Sequence, residues 1–190
     1  MKVYESHEIK NIALLGSKGS GKTTLAEAML YECGIIKRRG TVEANNTVSD
    51  YFPVEKEYGY SVFSTVFYAE FLNKKLNVID CPGSDDFVGS AITALNVTDT
   101  GVIVVDSQYG VEVGTQNIFR TAEKLNKPIV FAMNQLDGEK ADFDNVMEQM
   151  RESFGSRVVQ VQYPVSSGPS FNAMIDVLLM KMYSWGPDGG

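Results

Sequence analysis

The chain has 190 residues, 44% of them apolar and 22% charged, about one domain at ~150 residues apiece, which excludes a multi-domain machine within this stretch. Its 17 Lys and Arg against 24 Asp and Glu leave a net charge of −7, so phosphate backbones and anionic lipid meet no general attraction, and nonspecific nucleic-acid or membrane-surface binding is excluded. The longest apolar runs fall far short of the ~18 residues of a membrane span, so the sequence predicts no transmembrane segment and no membrane partner.

The first eight residues hold no apolar segment of a secretory signal. Cys33 and Cys81 stand far apart, without a Cys-x-x-Cys or companion histidines, which fits a reduced compartment and points to the cytoplasm. The single histidine, His7, lies outside every motif discussed below.

In chain order, residues 12–15 form the first apolar run. A segment with Leu25, Met29 and Cys33 at four-residue spacing follows and predicts a helix with one buried stripe. Residues 34–58 carry Gly34, Gly40, Asn45, Asn46 and Pro53 and no sustained period; a loop that long is seldom idle. A β-rich run over 61–71, a polar turn at 73–75 and a run over 76–80 predict an antiparallel hairpin. Apolar runs at 102–105 and 129–133 are strands buried on both faces. Ile118, Ala122 and Leu125 mark one helix, and Phe143, Val146, Met147, Met150 and Phe154 another that stops at Gly155. The apolar content of 171–185 allows a helix. The fold class predicted is α/β, a mostly parallel sheet with one antiparallel hairpin strand and helices on both faces, in three layers.

Between the first run and the first helix lies Gly16-Ser17-Lys18-Gly19-Ser20-Gly21-Lys22-Thr23, a complete G-x-x-x-x-G-K-[ST] followed by Thr24. Glycines let such a loop wrap phosphates, backbone N–H groups and the helix N-terminus face the anion, Lys22 neutralises the outer phosphates, and the Thr23 hydroxyl holds Mg²⁺. Asp80-Cys81-Pro82-Gly83 closes the hairpin as D-x-x-G, Asp80 reaching the metal through water and the Gly83 N–H meeting the γ-phosphate. Asn134-Gln135-Leu136-Asp137 ends the 129–133 strand, where the Asp137 carboxylate can take two hydrogen bonds from guanine; the alternative is an Asn/Asp helix cap. The residues alone thus support a P-loop protein that binds GTP or GDP with Mg²⁺. An ATPase or nucleotide kinase sharing the P-loop is the remote alternative, and Asp137 argues against it.

The order of these motifs, with D-C-P-G-S-D-D-F at 80–87, Gly101 to Asp106 and Gly110-Val111-Glu112 between them, resembles the GTP-binding domain of translation elongation factor G. The resemblance covers residues 9–185, and tetracycline-type ribosomal protection factors share the pattern. It implies the P-loop NTPase fold, a monomeric switch that meets the ribosome through the full-length protein, and a role in ribosomal translocation. It also implies a division into a GTP-binding domain over 1–164 and the truncated start of an inserted subdomain over 165–190. The base-covering Ser-Ala loop of the family lies beyond that insertion, and Ser166-Ser167-Gly168 does not stand in its place in the family order.

Several residues depart from the resemblance. The family's A-H-x-D-A-G-K-T loop has Gly19 in place of its Asp, its effector-loop Arg is Tyr58, its Mg²⁺-sensing Thr is Ser61, and Gln135 replaces its base-covering lysine. In the D-T-P-G-H-V-D-F segment the water-positioning histidine is Ser84, followed by Asp85. Phosphoryl transfer depends on positioning and charge stabilisation, and losing one such group commonly costs ~10²–10³ in rate. The expectation is a weakened GTPase, or a ribosome-binding module that does not hydrolyse GTP.

Overall fold

In a computed structural model, which describes residues 3–186, the longest sheet has five strands: β1 (Ile9–Leu15), β2 (Thr65–Phe71), β3 (Lys74–Asp80), β4 (Thr100–Asp106) and β5 (Ile129–Asn134), in the order β2-β3-β1-β4-β5. β1 runs parallel to β3 and β4 on its two sides, while β2 returns antiparallel to β3. This is the mixed, mostly parallel sheet expected from runs that are apolar throughout. Around it lie α1 (Lys22–Glu32), α2 (Pro53–Tyr58), α3 (Val88–Val97) and α4 (Val113–Lys124); α5 (Phe143–Phe154) follows β5. A second, three-stranded antiparallel sheet, β6-β7-β8, is built from β6 (Gln162–Pro164), β7 (Ala173–Asp176) and β8 (Lys181–Ser184).

The alternation of side chains along β1 divides the core into two layers. Leu14, 1% exposed, meets Ala26 of α1 and Val78 of β3, with Ile12, Leu25, Met29, Phe67, Leu76 and Val102 packed around them. Leu15 points the other way. A methyl group on Gly101 would come within 3.1 Å of both Leu15 and Leu95 of α3, so this glycine lets β4 and α3 approach each other. Truncating a fully buried leucine such as Leu14 to alanine costs ~2–5 kcal/mol.

The chain divides into two units, residues 3–104 with 113–132, and residues 105–112 with 133–186. In the second, all five apolar residues marking the last long helix are buried along α5, and the helix stops at Gly155, whose φ is +81°. Asp142 caps that helix, its carboxylate accepting the Asn145 N–H at 3.1 Å. Phe143 meets Tyr163 edge to face at 5.4 Å.

Three sequence expectations are corrected. The hairpin turn is Leu72-Asn73, not 73–75. Both residues have positive φ, 47° and 61°, the twist that closes a two-residue hairpin, and Lys74 already pairs with Phe71. The buried side of α1 is wider than the Leu25, Met29 and Cys33 stripe: Leu25 and Met29 do pack on the core, Cys33 is the C-cap, and Ala26, Glu27 and Leu30 are buried beside them, Glu27 with its carboxylate against the loop that follows. Residues 171–185 form a hairpin, not a helix: Asp176 Oδ1 accepts the N–H groups of Leu178 and Leu179 at 2.9 and 2.8 Å, and Met180 turns the chain with φ 51°. Local side-chain bonding of this kind competes with the helix that apolar content alone would allow.

Candidate functional site

The P-loop spans the gap between β1 and α1. Gly16 has φ 132°, and a Cβ there would lie 2.3 Å from the Val104 carbonyl oxygen, so no other residue fits where the loop leaves the sheet. Gly21, in the left-handed conformation with φ 92°, caps α1, whose first residues Lys22 and Thr23 are buried while Thr24 is exposed. The Lys22 ammonium donates to the Ser17 carbonyl at 2.7 Å and so lies across the loop it belongs to. Lys18 and Gly19 are exposed, Ser17 half-buried and Ser20 buried.

Beside the loop, hydroxyls and carboxylates gather. Thr23 Oγ1 donates to Asp80 Oδ2 at 2.9 Å and lies 3.3 Å from Ser61 Oγ. Asp80 is 2% and Asp50 6% exposed, and one oxygen of each, Oδ1, is buried without a hydrogen-bond partner. Burial pushes the Asp80 carboxyl up to about 6 against the opposing pull of the Ser49 and Thr23 hydroxyls and of Lys22, and raises Asp50 as well. Buried acceptors left unpaired are costly, and a hydrated divalent cation supplies the donors and positive charge they lack. Mg²⁺ therefore fits the chemistry of this cluster, and Thr23, Ser61, Asp80 and Asp50 are the residues that would hold it, directly or through water. Among the described residues there is no group of three or more His, Cys, Asp or Glu that could hold a metal ion. Asp50 had no metal role in the sequence reading, which placed it only at the start of the stretch resembling the family's effector loop.

That loop is held by two buried glutamates, Glu27, which the sequence did not single out, and Glu55, which lies in the stretch resembling the family's effector loop. Glu27, 1% exposed, receives the Gly40 N–H at 2.7 Å and also that of Val48. Glu55, equally buried, receives the N–H groups of Phe52, Val62 and Phe63 at 3.2, 3.0 and 3.0 Å. Since Val62 follows Ser61 directly, the second clamp sets where the Ser61 hydroxyl falls. After β3, the Cys81 N–H bonds the Leu14 carbonyl at 3.2 Å and leads into Gly83, where a Cβ would come 2.8 Å from the Lys18 nitrogen and 2.4 Å from the Lys22 ammonium. Only a glycine lets this segment lie on the P-loop. Ser84 Oγ donates to Asp86 Oδ2 at 3.3 Å; the Asp85 side chain lies outside the described structure.

The expected base reader belongs to the second unit. Asn134 ends β5, and its carbonyl accepts the Ser107 N–H at 3.0 Å; Gln135, with φ 58°, turns the chain, and its carbonyl accepts the Ser107 hydroxyl at 2.7 Å. Leu136 is buried and Asp137 exposed. Asp142, not Asp137, caps the following helix, so capping does not account for the motif. The Gly168 N–H donates to the Leu136 carbonyl at 2.7 Å. The Ser166–Gly168 segment thus touches the reader loop although the family order gives it no such place.

A glycine-rich loop between the first strand and first helix of a mostly parallel sheet, with a buried threonine–aspartate pair beside it, defines a P-loop nucleotide-binding protein. The family model described as "Elongation factor Tu GTP binding domain" matches residues 7–184, and the chain belongs to that family, as a translational GTPase domain of the elongation factor G type. It is 35% identical over 180 residues to the elongation factor G-like protein of Thermotoga maritima, which covers 95% of this chain and 26% of that protein. It is 30% identical to elongation factor G of Petrotoga mobilis over 100% of this chain and 27% of that protein. The mitochondrial ribosome-releasing factor 2 of Candida dubliniensis is 34% identical over 93% of this chain and 22% of its own length. A crystal structure of a Thermus thermophilus protein superposes with a TM-score of 0.89 at 34% identity, covering 95% of this chain and 27% of that one. The chain therefore spans about a quarter of the length of these relatives. No helix among the described residues is long and apolar enough to cross a membrane.

Proposed function

We propose that this chain is the Mg²⁺-dependent guanine-nucleotide switch of a longer cytoplasmic translation factor, acting as a monomer on the ribosome during translocation. The carrying observation is the Thr23–Asp80 pair with Ser61 beside it and the unpaired oxygens of Asp80 and Asp50 buried around them. Bound Mg²⁺ would neutralise charge on the β- and γ-phosphates. Residues 16–24 cradle the phosphates, Ser61 and the Gly83 N–H respond to the γ-phosphate, and Asn134, Gln135 and Asp137 select guanine. Residues 165–190 begin the inserted subdomain of the longer protein.

In this reading GTP hydrolysis is weak, because Ser84 bonds Asp86 and is too short to orient an attacking water, and phosphoryl transfer depends on such positioning. The same observation favours a second reading, a nucleotide-regulated ribosome-binding module without hydrolysis. Single-turnover hydrolysis on ribosomes separates the two. The primary test is calorimetric titration of this chain, beside the full-length protein, with GTP, GDP and ATP in Mg²⁺. Guanine-selective binding that weakens in Asp137→Ala supports the switch; equal binding of ATP, or no binding in either protein, refutes it.

A further inference from the structure

Lys18 and Tyr60 make a contact that neither phosphate cradling nor metal binding requires. The Lys18 ammonium stands 3.6 Å from the centroid of the Tyr60 ring, well within cation–π range. Lys18 is exposed and Tyr60 half-buried, with the Tyr58 ring 5.8 Å from that of Tyr60. The lysine and the ring belong to the two segments that bracket the outer end of a bound nucleotide. A Cβ on Gly83 would crowd the Lys18 backbone nitrogen and the Ser17 carbonyl carbon, both at 2.8 Å, and the Lys22 ammonium at 2.4 Å, so Lys18 is one of the P-loop residues that face the D-x-x-G glycine. Tyr60 directly precedes Ser61, whose hydroxyl lies 3.3 Å from that of Thr23. A long, flexible ammonium anchored beside Gly83 and resting beside Ser61 is therefore held on the γ-phosphate side of the loop. Lys22, the cation that serves every P-loop, is a separate charge buried across the loop on the Ser17 carbonyl.

We propose that Lys18 is a specificity-determining residue that distinguishes triphosphate from diphosphate by exchanging the Tyr60 ring for a γ-phosphate oxygen. The inference rests on the guanine-nucleotide reading above. No covalent bond forms or breaks; one partner of a cation replaces another. A charge-assisted hydrogen bond to phosphate outweighs a cation–π contact at a half-exposed ring, so the exchange proceeds when a γ-phosphate arrives. With a diphosphate the ammonium has no such partner and stays on the ring. Tyr60 is thereby a competitor of the γ-phosphate for the same charge. A ligand shifts such an equilibrium only by its differential affinity for the two arrangements, and here the difference resides in one ammonium.

The experiment is a calorimetric titration of the full chain with GTPγS and with GDP in Mg²⁺, reading the ratio of the two affinities, which general damage to the loop would not move. Lys18→Met lowers the GTPγS-to-GDP ratio about tenfold, the scale of one hydrogen bond to a charged group, and Lys18→Arg restores most of it. Tyr60→Leu removes the competitor and raises the ratio about threefold, the scale of an exposed cation–π contact. That gain disappears in the Lys18→Met, Tyr60→Leu double variant. An unchanged ratio in Lys18→Met, a fall in Tyr60→Leu, or a gain that survives in the double variant overturns the proposal while leaving the switch reading intact. A wild-type chain that binds neither nucleotide overturns both.

Discussion

The carboxylate of Glu27, in the middle of α1, receives the backbone N–H of Gly40 at 2.7 Å, thirteen residues along the chain. A second bond, from the Val48 N–H, closes on the same carboxylate, so one buried acid organises the loop that carries Asp50 and leads to Ser61. Removing it strands two donors, each costing ~1–3 kcal/mol when left without a partner. Glu27→Ala is expected to destabilise the chain by about that amount per donor, and to abolish hydrogen-exchange protection at Gly40 and Val48 while the β1 amides keep theirs. Retained protection at those two amides would show that the loop is held by something else.

Gly83 has room for a hydrogen and nothing more. A Cβ there meets the Lys18 nitrogen and the Ser17 carbonyl carbon, both at 2.8 Å and both backbone atoms that cannot swing aside. Overpacking of this kind costs ~1–3 kcal/mol. Gly83→Ala is expected to lower GTP affinity about tenfold or more by pushing the D-x-x-G segment off the P-loop. Titration calorimetry checks this, and unchanged affinity would mean the two segments separate freely.

Ser84 holds Asp86 at 3.3 Å, and its side chain ends well short of the reach of an imidazole. Ser84→His in the full-length protein is expected to raise ribosome-stimulated, single-turnover GTP hydrolysis toward the ~10²–10³ that one positioning group contributes. A wild-type rate already equal to that of an ordinary elongation factor G would refute weakened hydrolysis outright.

Cys81 is fully buried, and desolvation pushes its thiol up to about 12 from an ordinary value near 9. A folded-state value above the unfolded one means that ionisation favours the unfolded chain. The contribution to stability is intact below pH 9 and falls as pH climbs from there toward 12. Iodoacetamide at about pH 8, near the ordinary thiol value, is expected to modify the half-buried Cys33 and leave Cys81 unmodified until denaturant is added, as read by mass spectrometry. Equal labelling of both thiols in the native chain would contradict the burial.

The P-loop, the D-x-x-G turn and the Asn134–Asp137 loop were legible in the residues because their chemistry depends on short, local spacing next to a strand end. The five-residue stripe of α5 was legible for a similar reason, since a helix repeats its buried face at a fixed interval. Apolar content misled at 171–185, where the deciding feature was one carboxylate, Asp176, turning the chain through two N–H groups. On α1 the period gave the helix and the core-packed Leu25 and Met29 but not Glu27, a charged residue at a buried position that an apolar stripe does not mark.

By itself, the sequence determined where the P-loop, the D-x-x-G turn and the Asn134–Asp137 loop fall along the chain, and it supplied the serine at position 84, because these are properties of residue type and spacing. Only the tertiary structure decided that Glu27 and Glu55 hold the aperiodic loop, that Asp50 joins Asp80 and Thr23, and that Lys18 rests on Tyr60. Each of these contacts joins residues that no periodicity relates. Burial gives them their force: a carboxylate shielded from water must find donors in the chain, and which donors lie within reach is set by how the strands and helices pack.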